Sequence, residues 1–167
     1  MIQGLSDVSL IESVYATPAI RERIRHDHWE PGFVASPAVG YLGGWHQGEF
    51  CGFFMIREVS GLDIEIHACL LPQATLYSRV LGVELLEMVF NASSVQRVSA
   101  PIIGNLVSAM NFVEKLGFRR EGVLRNACQK NGQLLDVVLF GMTRTDFAES
   151  ITPCRSSRMP SGTSLAP

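Results

Sequence analysis

Along the chain the spacing of apolar positions changes several times, and each change marks a predicted element. Val8 to Arg25 is patterned as a helix but interrupted at Thr17-Pro18. Proline suits a first helical turn, so the pattern predicts one helix up to Ala16 and a second from Pro18. The stretch HDHWEPGFVASP, with its prolines and glycine, reads as a loop. Two strand-like runs, Val39 to His46 and Glu49 to Glu58, meet at Gln47-Gly48, which is a hairpin signal. A third run, Leu62 to Leu71, is apolar on alternate residues and nearly so on both faces toward its end at Pro72. That predicts a central, buried strand.

Leu76 to Phe90 is helical, with Leu81, Leu85 and Met88 on one stripe and Val80, Val83 and Phe90 beside it. Gln96 to Ile103 is a short strand. Leu106, Ala109, Met110, Val113 and Leu116 mark one face of the next helix. Gly117 stands where a left-handed C-cap is wanted, and Phe118 is placed to fold back on the apolar face. Phe118 to Cys128 and Leu134 to Met142 are strands joined by Asn131-Gly132, a strong hairpin signal. The passage from the third strand through a helix to the next strand is a β-α-β unit, which requires parallel pairing there. The predicted class is α/β, with a mixed sheet. One domain is expected over residues 1–150. A Ser/Pro-rich tail, expected to be disordered, follows over 151–167.

Composition narrows the function classes. A chain of 167 residues, 47% hydrophobic and 18% charged, can bury a core as one domain. A net charge of −2 gives no electrostatic case for binding nucleic acid or a membrane surface. No apolar run reaches the length of a membrane span. The opening MIQGLSDVSLIESV lacks the basic and apolar regions of a signal peptide. Cys51, Cys69, Cys128 and Cys154 are scattered, never as C-x-x-C, which fits free thiols in a reducing compartment. The expectation is a cytoplasmic domain. His26-Asp27-His28 has no third ligand in register, so no metal is expected and the segment reads as a solvated loop. Trp29, Trp45 and Tyr41 either line a pocket or simply pack.

The C-terminal half, NLVSAMNFVEKLGFRREGVLRNACQKNGQLLDVVLFGMTRTDF, resembles GNAT-superfamily acyl-CoA N-acyltransferases, particularly ribosomal-protein and phage-encoded types. The resemblance rests on the Asn with a small residue near it, the E-K-L-G-F helix end, E-G-V-L-R and N-G-x-x-x-D. GFFMI and LDIEIHACLLP are similar to the matching strands, so roughly residues 5 to 147 are covered. The resemblance implies a GNAT-like mixed, splayed sheet flanked by helices. It implies acetyl-CoA as cosubstrate and a primary amine of a protein or small molecule as acceptor. A homodimer is an open expectation, and the location becomes the host cytoplasm if the protein is phage-encoded.

It also implies that backbone N–H groups after the central strand, at Gln73, Ala74, Thr75, Leu76, Tyr77 and Ser78, hold the cofactor pyrophosphate. Anions are favoured at such a helix start. This QATLYS loop departs from the family pattern, which has glycines and a basic residue. Asn105 resembles the family Asn that touches the pantetheine arm, with Ser108 or Asn111 able to share the role; Asn105 also reads as a plain helix N-cap. A backbone N–H near Leu70 or Leu71 is expected to polarise the thioester carbonyl.

On the central strand Asp63, Glu65, His67 and Cys69 alternate to one face. His67 is the candidate base for an ammonium proton, with Glu65 as orienter or alternate; a hydrogen-bonded core histidine is the competing reading. The family's common general acid, a Tyr before the E-K pair, is replaced by Val113, leaving Tyr77 or Cys128 as substitutes. Arg125 and Asp136 are expected to form a cross-strand pair on the hairpin. The alternative to an enzyme is a catalytically degenerate GNAT-fold binding or assembly module.

Overall fold

The computed structural model describes the backbone of residues 1–156 and the side chains of residues 1–150. The strands are β1 (Ile2–Gly4), β2 (Val39–His46), β3 (Glu49–Glu58), β4 (Asp63–Leu70), β5 (Arg97–Ile103), β6 (Arg119–Lys130) and β7 (Gln133–Thr143). The helices are α1 (Val8–Ala16), α2 (Pro18–Ile24), α3 (Ser78–Ala92), α4 (Val107–Leu116) and α5 (Arg144–Ser156), and a 3-10 turn, Pro72–Tyr77, leads into α3. All strands join one 7-stranded sheet in the order β1-β2-β3-β4-β5-β7-β6. Every neighbouring pair is antiparallel except β4 with β5. This is the mixed, helix-flanked α/β sheet that the sequence predicts, with β4 at its centre.

Each face of the sheet has its own core. Ile64, Ile66, Val98, Ala100, Val138 and Phe140 pack with α3 and α4, whereas Phe53, Tyr41 and Cys69 pack with Ile11, Val14, Tyr15 and Ile20 of α1 and α2. Alternation along each strand divides its side chains between the two. Cys51, Cys69 and Cys128 are free and buried, small hydrophobes rather than staples.

The abrupt end of α4 is a Schellman motif. Gly117 takes φ +100°, its N–H donates to Glu114 O (3.0 Å), and the Phe118 N–H reaches back to Val113 O (3.0 Å). Phe118 is then buried, and β6 begins at Arg119. The far turn of the ribbon has Asn131 at φ 51° and Gly132 at φ 77°, the paired positive values of a type I′ hairpin.

Pairing between β4 and β5 covers Asp63↔Arg97, Ile64↔Val98 and Glu65↔Ser99, and then stops. Its cause can be read from which backbone edge faces which neighbour. Leu71 N donates to Cys51 O (2.9 Å) and Val59 N to Asp63 O (3.0 Å), so odd-numbered residues of β4 bond to β3. Ile66, Ala68 and Leu70 therefore turn their N–H and C=O toward β5. On β5, Arg97 N donates to Leu62 O (3.1 Å), which points its odd-numbered residues at β4. The next odd residue after Ser99 is Pro101, which has no N–H to give. The ladder ends where its donor is missing, and the sheet opens into a V lined by backbone.

Three expectations need correction. The buried residues of α3 are Leu81, Gly82, Leu85, Leu86, Val89 and Phe90, while Val80 and Met88 are exposed. The packed face lies on two adjacent rows because Gly82 admits α4: a Cβ there would stand 2.7 Å from a Leu116 methyl. The helix predicted from Leu76 begins as the 3-10 turn at Pro72 and becomes α-helical at Ser78. Arg125 and Asp136 do not pair, because a bulge between Leu124 and Cys128 gives the Asp136 carboxylate to the Asn126 N–H (2.9 Å) instead. The last helix, α5, spans Arg144–Ser156, and most of the expected tail lies outside the described residues. Asp146 starts this helix by accepting from Thr143 N (3.0 Å). Residues 157–167 lie outside the described residues.

Candidate functional site

The V between β4 and β5 opens at the C-terminal end of β4, and its closed end is pinned by side chains. Ser99 Oγ donates to both Asp63 carboxylate oxygens (2.9 and 3.0 Å), and Arg97 Nε lies 3.4 Å from the same carboxylate. Arg97 also forks onto Glu121 of β6, a bidentate pair. Gly141 of β7 makes room for that pair, since a Cβ there would overlap both side chains.

His67 is the first residue after the paired section whose side chain lies on the α1/α2 face. Its Nε2 is 2.7 Å from Glu65 Oε1. Arg57, directly opposite Glu65 on β3, donates Nε to Oε1 (3.1 Å) and Nη2 to Oε2 (2.7 Å). Burial works to raise the Glu65 carboxyl, but hydrogen bonds from His67 and Arg57 outweigh it and hold the group down at about 2. Glu65 is thus an ionised acceptor, and the His67 nitrogen facing it must carry the hydrogen. That leaves Nδ1 with its lone pair free, and it makes no hydrogen bond among the described residues. His67 is 36% exposed, so it is no sealed core histidine. Sequence reasoning brought Glu65 and His67 together and missed Arg57. The signal for it lay in the hairpin register, which sets Arg57 against Glu65.

The cofactor-loop candidates from Pro72 onward fold into a 3-10 turn. Leu70 presents its N–H to the V, but the Leu71 N–H is spent on Cys51 O (2.9 Å). Within the 3-10 turn Ala74 N donates to Leu71 O (2.9 Å) and Ser78 N to Thr75 O. Thr75 Oγ1 donates to Pro72 O (2.7 Å) and Ser78 Oγ to Thr75 O (2.8 Å). Tight i→i+3 bonding therefore consumes N–H groups and hydroxyls that an open loop would offer to an anion. The Gln73 N–H keeps no partner among the described residues, Leu76 is 86% exposed, and Tyr77 stacks on His46 with ring centroids 3.8 Å apart. Tyr77 is thereby engaged at the loop. The Cys128 thiol is pushed up by burial, which makes it a poor proton donor, and Val113 is buried in the core.

Asn105, Ser108 and Asn111 are all exposed near the start of α4, and their side chains make no hydrogen bond among the described residues. Asn105 is not the N-cap. Leu106 N closes a turn onto Ile103 O (2.9 Å), so Asn105 falls inside that turn and the helix starts one residue later.

The ribbon tip holds the loop that follows α2. Asp27 accepts from Asn131 N (2.8 Å) and Gly132 N (2.7 Å), and the Gly132 bond leads the causes that hold its carboxyl below the usual range. Lys130, 8% exposed, donates Nζ to Glu22 O and Arg23 O, capping α2, and His28 meets Gln129 (2.9 Å). The His26-Asp27-His28 segment is therefore a solvent-facing loop, with Asp27 and His28 exposed, that is also tied to the ribbon tip. Among the described residues no cluster suits a metal ion. Tyr41 is core, its hydroxyl accepting from Val34 N (2.9 Å), and Trp45 packs on Phe50. Trp29 stacks on His26 at 38% exposure. Two surface concavities, one between Ile2 and α3 and one on residues 25–30, lie away from the V. No described helix is long and apolar enough to cross a membrane.

The architecture is that of GNAT acetyltransferases. A point mutant of the spermidine N-acetyltransferase from Vibrio cholerae superposes with TM-score 0.75 at 15% identity, covering 90% of this chain and 98% of its own. The same enzyme in complex with CoA and spermine gives 0.75 at 16%, with 89% and 97% covered. A probable acetyltransferase gives 0.59 at 18%, covering 66% of this chain and 64% of its own. At such identities the likeness establishes the fold. No curated protein matches the chain in sequence. Residues 10–152 match the family described as "Protein of unknown function (DUF2824)", and the chain belongs to that family.

Proposed function

We propose that this protein is an N-acyltransferase that moves an acetyl group from acetyl-CoA to a primary amine, on a small molecule or a protein. The observation that carries the reading is the backbone-lined V beside β4, with Leu70 at its open end and His67 on the adjoining face. Acetyl-CoA supplies the acyl group as a thioester. Leu70 donates its N–H toward the carbonyl oxygen, where negative charge grows during attack. His67 Nδ1 takes the proton from the acceptor's ammonium, freeing the nitrogen lone pair. The amine nitrogen then bonds to the carbonyl carbon as the C–S bond breaks, and the amine's second proton goes to the departing thiolate. A thiolate leaves without much help, so the absence of a Tyr at Val113 is tolerable.

Gln73 to Ser78, with Asn105, Ser108 and Asn111, are the proposed contacts for the rest of the cosubstrate. Gln73 has the free N–H, and the three α4-side residues have uncommitted side chains. Because the Vibrio cholerae structure holds CoA and spermine, small aliphatic amines are the acceptors to try first. The buried free cysteines favour a cytoplasmic setting, with the host cytoplasm, a phage origin and a homodimer as parts of the same reading.

The 3-10 turn favours a second reading, a GNAT-fold module that has lost catalysis, since its own bonds occupy the Ala74 and Ser78 N–H groups. A thermal-shift titration decides between them. Acetyl-CoA at millimolar concentration should raise the melting temperature if it binds the native state. An unmoved melting temperature gives the protein to the module reading.

A further inference from the structure

Two groups on β4 compete for the role of proton acceptor, and the structure assigns the choice between them to a residue on another strand. We infer that Arg57 is a positioning residue: by occupying both oxygens of Glu65 it keeps that carboxylate as a fixed acceptor and leaves His67 Nδ1 as the atom that takes the proton. The inference rests on the acyltransfer reading for its purpose, but not for its geometry.

Glu65 Oε1 receives His67 Nε2 (2.7 Å) and Arg57 Nε (3.1 Å), while Oε2 receives Arg57 Nη2 (2.7 Å). A guanidinium fork matches a carboxylate in two parallel bonds, which fixes the plane of the carboxylate as well as its charge. The Glu65 side chain is only 14% exposed, so it has little room to turn toward an incoming amine. An imidazole hydrogen-bonded to an ionised carboxylate is held in a single tautomer. Here it is the Nε2–H form, with Nδ1 as the basic atom.

The other groups on this face do not duplicate the arrangement. Asp63 on β4 is bound by Ser99 and Arg97 of β5. Burial pushes the Cys69 thiol up to about 12, and the Tyr15 hydroxyl of α1 is raised as well, chiefly by burial. Glu12 of α1 accepts from Phe33 N (2.7 Å), and Arg23 of α2 acts on Cys69. Met55, opposite His67, is apolar and contacts Tyr15. Near neutral pH, Arg57 and Glu65 are thus the charges bonded into the His67 unit.

The test is nitrogen-15 NMR of the full chain with labelled histidine, the His67 signals being assigned from their loss in His67→Gln. The wild type should show protonated Nε2 and unprotonated Nδ1 in the neutral ring. Arg57→Gln frees the Glu65 carboxylate to turn, so an Nδ1–H population should appear beside the Nε2–H form. Glu65→Gln should lose the single tautomer as well. An Nδ1–H tautomer in the wild type overturns the inference and needs no variant to do so. So does an unchanged single tautomer in an Arg57→Gln protein whose melting temperature matches wild type. Once transfer is measured, Arg57→Gln should lower kcat more than it raises KM. A protein that shows the wild-type tautomer and its loss in the variant but no transfer would refute the acyltransfer reading while leaving the Arg57 assignment standing.

Discussion

The two ends of the β4–β5 pair are built on opposite principles. At the closed end Asp63, Ser99, Arg97 and Glu121 tie three strands together through side chains, and the backbone ladder is complete over three register pairs. Toward the open end Ile66, Ala68 and Leu70 face Pro101 and Ile103 with no ladder between them. Stability is concentrated at one end, and unsatisfied backbone is exposed at the other. Buried donors and acceptors are rarely left unpaired, so an edge kept open inside a sheet is a place for a ligand to complete the bonding. Charged pins at the base reinforce the short ladder there, so the strands stay joined although they part beyond Ser99.

The difference can be broken in a graded series. The largest effect is expected in the chemistry of the open end. His67→Gln should retain acetyl-CoA binding yet slow transfer by roughly 10²–10⁴-fold, the usual worth of a general base, read as coenzyme A release against a small amine. Transfer at an unchanged rate would exclude His67 from the proton path.

Next comes the scaffold of that end. Gly52 of β3 has φ +113°, and a Cβ there would overlap the Cys69 carbonyl oxygen and stand 2.8 Å from Leu70 Cα. Gly52→Ala combines backbone strain with overpacking against a central strand, a loss of about 3–4 kcal/mol. Urea denaturation measures it, and a loss below about 1 kcal/mol would mean that β4 yields readily at its open end.

At the closed end Asp63→Ala strands Ser99 and half of Arg97 and should cost about 2 kcal/mol. If the denaturation midpoint does not move, the pins are not what holds the base. Pro101→Val restores the missing donor and sharpens the comparison further. It should let the ladder extend to Ile66, adding on the order of 1 kcal/mol of stability while weakening acetyl-CoA binding. A protected amide at position 101 in hydrogen exchange would report the new bond; a freely exchanging one would show that something else holds the V apart.

A separate effect is in pH dependence. Glu65 sits at about 2, below its ordinary 4.5, so its contribution to stability is complete above about 4.5 and is lost as the pH falls toward 2. The wild type should therefore lose stability across that window more steeply than Glu65→Gln. Parallel curves would show the Arg57–Glu65–His67 unit to be thermodynamically silent.

By itself the sequence determined what local chemistry can determine. Pro18 opening a helix, the Gly117-Phe118 stop and the Asn131-Gly132 turn act within a few residues, and apolar alternation along 62–71 marks β4 as central. The pairing of Glu65 with His67 was legible for the same reason, since residues two apart on a strand share a face. What the tertiary structure decided depends on juxtaposition across the chain. Arg57 meets Glu65 only through the β3–β4 register, and Lys130 caps α2 across more than a hundred residues. Pro101 matters only because its edge of β5 faces β4 and not β7. The QATLYS segment is the sharpest case. Its composition names possible donors, but whether those donors are free was settled by the 3-10 turn that Leu71 and Pro72 begin, and that turn uses most of them to hold itself together.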